Sequence, residues 1–148
     1  MEYLFNTVSY VHTVKNEKDF LFTRSDRSII LTIYITFIEH KIVNGDEFSA
    51  IINNILGWLQ EDLKQENHLF TPIYLEILMV ANYYSPESVG KAINMEFVVP
   101  IIFDHWTRFS YEYQLQRILC GFAQLLQSKQ LSDEIMLTEL MRRFIDVV

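Results

Sequence analysis

Apolar residues recur at intervals of three and four along most of the chain, which is the spacing of one face of an α-helix. The pattern predicts a first helix from Asp26 that ends at Asn44-Gly45, where a left-handed residue commonly stops a helix. Asp46 is then placed to cap a second helix over 46–65, the most clearly amphipathic in the chain. Its apolar stripe consists of Phe48, Ile51, Ile52, Ile55, Leu56, Leu59 and Leu63.

Two prolines divide the next apolar segment into separate helices. Thr71-Pro72 offers a capping hydroxyl and a proline in the first turn of a helix that ends at Tyr84. This helix is apolar nearly all round, so it must be covered by other elements on several sides. Ser85-Pro86 repeats the arrangement and predicts a new, short helix over 86–93.

The rest of the chain continues the helical pattern. Pro100 should bend the apolar helix over 96–109 or mark its true beginning. Ser110 and Ser132 are placed to cap the last two helices.

The helix starts near 26, 71 and 110 lie about 40–45 residues apart, which is the length of a HEAT or armadillo repeat. A helix pair of this size cannot bury its apolar face alone and therefore stacks on its neighbours. We predict an all-α, HEAT-like solenoid of about three antiparallel helix pairs in a right-handed superhelical stack. A compact bundle of seven or eight helices would have the same helix content and is the alternative. The predicted repeats are 26–66, 70–109 and 110–148.

Composition narrows the class of protein further. Only four glycines and three prolines occur in 148 residues, which argues against a turn-rich β fold. Residues 1–11 fit no single element type, and residues 12–26 form a polar connection. Because 148 residues is the length of one domain, we predict one helical-repeat domain over 1–148. The net charge of -7 provides no basic surface for nucleic acid, and no apolar run reaches the ~20 residues of a membrane span.

The reactive residue types form no pattern typical of a catalytic, metal or cofactor site. None of the four histidines pairs with another at helical spacing, and the glycines are isolated. We interpret His105 as a hydrogen-bonded core residue and the single Cys120 as a packing residue in a reducing compartment. Gly121, inside a predicted helix, should allow a neighbouring helix to approach closely.

Four residues at the end of the 46–65 helix are candidates for binding a partner. Glu61, Asp62 and Glu66 form an acidic cluster that could receive lysines or arginines, with Glu61 the best exposed and Asp62 nearer the buried edge. Trp58 lies on the flank of the apolar stripe, where an indole fills a groove between repeats or anchors a partner. An ordinary solvated face is the alternative explanation of the acidic cluster.

Four features occur in order between Asn44 and Leu126. They are the helix after "NGDEF", the segment "FTPIYLEILMVANYYSPESVGKAIN" with its paired tyrosines and proline turn, the aromatic helix "FVVPIIFDHWTRF" and the helix "YEYQLQRILCGFAQLL". With these features in this order, the stretch resembles the C-terminal HEAT repeats of the importin-beta superfamily of nuclear transport receptors, closest to the branch of importins seven and eight.

This resemblance implies a non-enzymatic protein that carries cargo through the nuclear pore, located in the cytoplasm and the nucleus. The implied partners are protein cargo, expected to be basic, and phenylalanine-glycine repeats of pore proteins. Ran would bind only through repeats that this chain lacks. Such receptors are many times longer, and the acidic tail and acidic loop usual in this branch are missing here. We therefore expect a C-terminal fragment of a longer solenoid or a reduced protein.

Two other functions compete with this expectation. One is a compact all-α protein-interaction regulator of the viral or apoptotic kind. The other is a small helical enzyme, which would need a pocket lined by converging polar groups.

Overall fold

A computed structural model of the chain describes Asn6 and residues 24–66, 68–109 and 111–147. Within these ranges the regular structure is helical, with one 3₁₀ turn at Trp106–Arg108 and no strand, which confirms the all-α prediction for this part of the chain. Apart from Asn6 and residues 24–26, the stretches 1–11 and 12–26 lie outside the described residues. The predicted cap Ser110 lies outside them as well. The helices are α1 Arg24–Glu39, α2 Gly45–Asp62, α3 Thr71–Tyr84, α4 Pro86–Ala92, α5 Met95–Asp104, α6 Glu112–Gln127 and α7 Glu134–Val147.

The connection between α1 and α2 differs from the prediction. The left-handed residue is Lys41, with φ of 52°, and the N–H of Ile42 donates to the carbonyl of Phe37 at 2.9 Å, so α1 ends before Asn44-Gly45. Asn44 instead caps α2, because its Oδ1 accepts the N–H groups of Asp46 and Glu47. The Glu47 carboxylate accepts the Asn44 N–H in return, which completes a capping box.

The break between α3 and α4 lies at the predicted Ser85-Pro86 pair. Ser85 ends α3 by donating its N–H to the carbonyl of Ala81 at 2.9 Å, and its own carbonyl accepts the N–H of Val89 at 3.1 Å. Its hydroxyl contacts the Ser88 hydroxyl and caps no backbone group, so the position was predicted correctly and the capping chemistry was not.

Two other helix starts lie within one residue of the prediction, since α5 begins at Met95 where 96 was predicted and α7 begins at Glu134, one residue later than a Ser132 cap implies. α5 begins after Asn94, whose side chain accepts the Glu96 N–H, so Pro100 lies inside the helix. At the start of α7, the Oδ1 of Asp133 accepts the Met136 N–H at 2.9 Å. Ser132 instead donates its N–H to Glu96 at 3.1 Å and thereby ties the start of α7 to α5.

α3 is the central element of the described structure. Eleven of its residues are buried, as the all-round apolar pattern predicted. α3 packs most extensively against α6, then against α1 and α2, with further contacts to α4 and α5. α2 also contacts α4.

Aromatic and cationic contacts fasten the C-terminal helix. The Arg143 guanidinium of α7 lies over the rings of Phe103 in α5 and Trp106, at 5.7 and 5.4 Å from their centroids. Phe144 contacts Phe122 of α6 with a centroid distance of 6.5 Å. Side chains of α7 therefore meet those of α5 and α6.

Gly121 brings α6 against the backbone of α3, as predicted. A Cβ atom at this position would lie 2.8 Å from both the carbonyl oxygen and the Cβ of Met79. The amide nitrogen of Asn82 donates to the Gly121 carbonyl at 3.4 Å in the same interface. This contact between the two helices therefore requires glycine.

Gly121→Ala should lower the free energy of unfolding by about 2 kcal/mol, because the clash with the Met79 backbone outweighs the gain in helix propensity. The matched control is Gly57→Ala in α2, where an added Cβ meets no atom within 4 Å. This control should stabilise the chain by ~1 kcal/mol. Urea unfolding of both variants measures the difference, and equal shifts of the same sign would contradict the assigned helix contact.

Candidate functional site

A buried carboxylate lies at the centre of the helix assembly. Glu76 is the only charged residue of α3, and its side chain is 1% exposed. Its Oε1 accepts a hydrogen bond from Arg117 Nη1 at 2.9 Å, and its Oε2 accepts one from Gln114 Nε2 at 2.9 Å. Both donors come from α6, so two side chains of one helix satisfy the carboxylate of another.

Arg117 connects this buried group to the surface. Its Nε donates to Glu39 Oε1 at 2.9 Å, at the end of α1, while Nη1 holds Glu76. The guanidinium also lies over the ring of Tyr113, 5.4 Å from its centroid. We call Glu39, Glu76, Gln114 and Arg117 the α1–α3–α6 network.

Burial and pairing change the acidities within this network. Burial raises the pKa of Glu76 above its ordinary value of 4.5, and the hydrogen bonds from Gln114 and Arg117 offset only part of that effect. Partial burial lowers the pKa of Arg117, but its hydrogen bonds to Glu39 and Glu76 outweigh this and raise the pKa overall. Arg117 therefore stays charged, while ionised Glu76 has a net cost in the folded chain.

An aromatic cleft of about 310 Å³ opens beside the network. Tyr83 and Tyr84, at the end of α3, contact each other edge to face with centroids 5.1 Å apart. Tyr113 of α6 contributes a third ring, and the three side chains are 46%, 42% and 52% exposed. We call this site the tyrosine cleft, and it is lined by Glu39, Val80, Tyr83, Tyr84, Tyr113, Gln116, Arg117 and Cys120.

Cys120 was interpreted as a packing residue, and that interpretation is wrong. The thiol is exposed and borders the tyrosine cleft. Cys120 lies opposite the apolar stripe of its helix, and at this position that face of α6 is exposed to solvent.

Trp58 packs inside the helix assembly. Its indole lies between Tyr34 of α1 and Tyr74 of α3, with centroid distances of 6.4 and 6.3 Å. The partly buried indole therefore fills a groove between helices α1 and α3.

Asp62 is buried and caps α3. Its Oδ2 accepts the N–H groups of Phe70 and Thr71 at 2.9 and 2.7 Å, and the Thr71 hydroxyl at 2.7 Å. The predicted cap was the Thr71 hydroxyl itself, but that group donates to Asp62 and lies inside the helix. The Asp62 carboxylate therefore serves the fold, and a surface role in cargo binding does not suit it.

The other two acidic candidates remain at the surface. Glu61 has a side chain that is 68% exposed and forms an ion pair with Lys64 at 2.6 Å. Glu66 is also exposed. The structure thus separates the four sequence candidates into two structural residues and two surface carboxylates, and it brings none of them to the tyrosine cleft.

A contact between two histidines could not be found from sequence spacing. His105 is 7% exposed, and its Nδ1 lies 2.8 Å from the Ile101 carbonyl, which confirms the prediction of a hydrogen-bonded core residue. Its Nε2 lies 2.9 Å from Nδ1 of His68. Since a carbonyl only accepts, Nδ1 of His105 donates to it, and in the neutral imidazole Nε2 is then the acceptor for His68.

Two further findings concern metals and membranes. Across residues 24–66, 68–109 and 111–147, no three or more histidine, cysteine or carboxylate side chains group as metal ligands would. None of the helices described here has the length and apolar character needed to cross a bilayer.

No protein-family model, curated protein or solved structure matches the chain. Over residues 24–66, 68–109 and 111–147, the structure alone therefore classes the chain as all-α, with a buried ionic network and an aromatic surface cleft.

Arg117→Met should lower the free energy of unfolding near neutral pH by about 3 kcal/mol, because it leaves the buried Glu76 carboxylate unpaired. The loss should become smaller toward about pH 5, since an unpaired buried carboxyl group binds a proton more readily. Urea unfolding at the two pH values measures the effect. An equal loss at both would contradict an ionised Glu76 in the folded chain.

Glu76→Gln is the matched variant that removes the charge and keeps a hydrogen-bond acceptor. Because the folded pKa of Glu76 is raised, its contribution to stability is fully present below the unfolded pKa and is lost as pH rises through the folded pKa. The glutamine variant should lack this part of the pH dependence. Subtracting its unfolding free energy from that of the parent chain across the acidic range isolates the Glu76 contribution.

Proposed function

We propose that the chain is a non-enzymatic, HEAT-like helical-repeat scaffold that binds basic protein segments as part of a karyopherin-type receptor. The order of helix packing carries this proposal. Helices α1, α3 and α6 pack in that order, with α3 between the other two. The helices that follow them also meet in chain order, since α2 contacts α4 and Arg143 of α7 contacts Phe103 of α5.

Helix pairs that stack in chain order are the basis of solenoid proteins. In this interpretation the pairs are 24–62, 71–104 and 112–147, the middle pair being interrupted at Asn94. The buried α3 is then the inner helix of the middle pair, covered by a neighbour on each side. Its nearly complete burial follows directly from that position.

Charge supports a basic partner. The chain has a net charge of -7, and Glu61 and Glu66 are exposed near the end of α2. A negative surface raises the local concentration of positively charged segments and speeds their association. The proposed ligand class is therefore a lysine- or arginine-rich stretch of a cargo protein.

The transport role rests on the sequence resemblance of residues 44–126 to importin-beta receptors. A receptor of this kind would carry cargo between cytoplasm and nucleus and would contact phenylalanine-glycine repeats of pore proteins. The exposed aromatic and apolar residues of the described surface, among them Phe97 at 50%, are compatible with such contacts.

A compact all-α interaction regulator is the second candidate. The ion pair between Glu39 of α1 and Arg117 of α6 favours it, because it joins the helices on either side of α3 directly. In a bundle of this kind α3 would be the common centre of all the helices. The two architectures differ in overall shape and in the burial of their outer faces.

Binding to a basic protein is the direct test of the proposed function. A lysine-rich histone should bind the chain, and the affinity should fall steeply with increasing salt, because surface charges are screened. Glu61→Gln with Glu66→Gln should weaken binding if these carboxylates contribute. Titration calorimetry over a salt series measures both effects, and binding that is absent or insensitive to salt would contradict the proposal.

Self-association through the outer face of α7 tests the repeat architecture. Ile135 and Ile145 are 82% and 73% exposed, as expected of a helix on which a further repeat stacks. We expect the chain to associate at high concentration, and Ile135→Glu with Ile145→Glu to make it monomeric. Light scattering measures the mass. X-ray scattering of the monomer should then show a particle more elongated than a globule of equal mass, and a globular profile would favour the second candidate.

A further inference from the structure

We propose that the tyrosine cleft binds the cationic side chain of a lysine or arginine from a basic protein segment. The proposal rests on the proposed function, since it assigns one position of the partner to one site on the scaffold. Aromatic faces, an excess of carboxylate and the size of the cleft support it.

The rings provide the attraction for a cation. Tyr83, Tyr84 and Tyr113 line one cleft and present between 42% and 52% of their surface to solvent. A cation within about 6 Å of an aromatic centroid is attracted by the negative face of the ring. Arg117 already occupies one such position over Tyr113, at 5.4 Å. The two rings at the end of α3 are the ones available to a second cation.

The charges beside the cleft favour a cation over an anion. One guanidinium, Arg117, is held by two carboxylates, Glu39 and Glu76. Glu76 is buried, whereas the Glu39 side chain is 27% exposed and lines the cleft. A phosphate or carboxylate ligand would have to displace carboxylates from Arg117, but a lysine or arginine adds a counter-charge to Glu39.

The size of the cleft suits one side chain of an extended segment. Its volume of about 310 Å³ is near the lower end of the range for ligand pockets. A second groove of about 280 Å³ shares Tyr84 and continues past Ile38, Val43 and Phe48. Apolar residues next to the bound cation can lie against the Ile38, Val43 and Phe48 side of this groove, so the site selects a basic residue with an apolar neighbour.

Two synthetic peptides test the inference. One contains lysine and arginine with interspersed leucine, and the other is identical except that glutamine replaces every basic residue. The basic peptide should bind the parent chain, and the neutral one at least tenfold more weakly. Tyr83→Leu and Tyr84→Leu should each weaken binding about threefold, the range expected of an exposed cation–π contact. Glu39→Gln should weaken it about threefold or more and reduce its salt dependence.

Control variants separate the cleft from the rest of the surface. Phe97→Leu removes an aromatic ring of similar exposure that does not line the cleft, and it should leave binding unchanged. Titration of the parent chain with L-arginine amide, followed through tyrosine ring resonances, tests the site even if a variant does not fold. Shifts at Tyr83 and Tyr84 are expected, and absence of any cleft shift would overturn the inference.

The outcomes distinguish this inference from the proposed function. The expected weakening of peptide binding in the cleft variants supports both. Binding that is unchanged in the cleft variants and weakened in Glu61→Gln with Glu66→Gln overturns the cleft and leaves the scaffold proposal intact. Failure of the basic peptide and of histone to bind overturns both, and equal binding of the neutral peptide overturns recognition of a cation.

Discussion

The pairing of buried Glu76 with Arg117 is the constraint on which the arrangement of α1, α3 and α6 depends. A carboxylate inside an apolar helix destabilises the fold unless a cation and further donors reach it. Arg117 reaches it from α6, and Glu39 of α1 holds the other edge of the same guanidinium. Apolar surfaces tolerate several rotations of a helix about its axis, whereas these directional bonds fit one. We infer that the network fixes the relative orientation of the three helices.

The same interface explains why the cleft lies where it does. Gly121 lets α6 approach the α3 backbone closely, and the cleft opens along one flank of this contact, between Tyr83 and Tyr84 of α3 and Tyr113 of α6. Arg117 and Glu39 line the same flank and are both partly exposed where they pair. The cleft thus lies at the solvent-exposed edge of the α3–α6 contact, and its aromatic rings border the charged residues of the network.

The sequence was sufficient to predict the helices but not the contacts between them. Periodic apolar residues and prolines located every described helix, because these signals act within a few residues. Asn44, Gly45 and Asp46 could each end or begin a helix, so the wrong cap was chosen. Arg117 and Glu39 are 78 positions apart, and no local rule pairs them. One signal for this network was available in the sequence. Glu76 is the single charged residue in an otherwise apolar helix, so its burial requires a cationic partner.

Asp62 has a consequence for how the chain opens locally. Its carboxylate belongs to the last turn of α2 but satisfies the first amides of α3, so neither helix end can fray without releasing the other. Segments coupled in this way exchange their amide hydrogens as one cooperative unit. The junction between α2 and α3 should therefore open as one unit under mechanical or thermal stress.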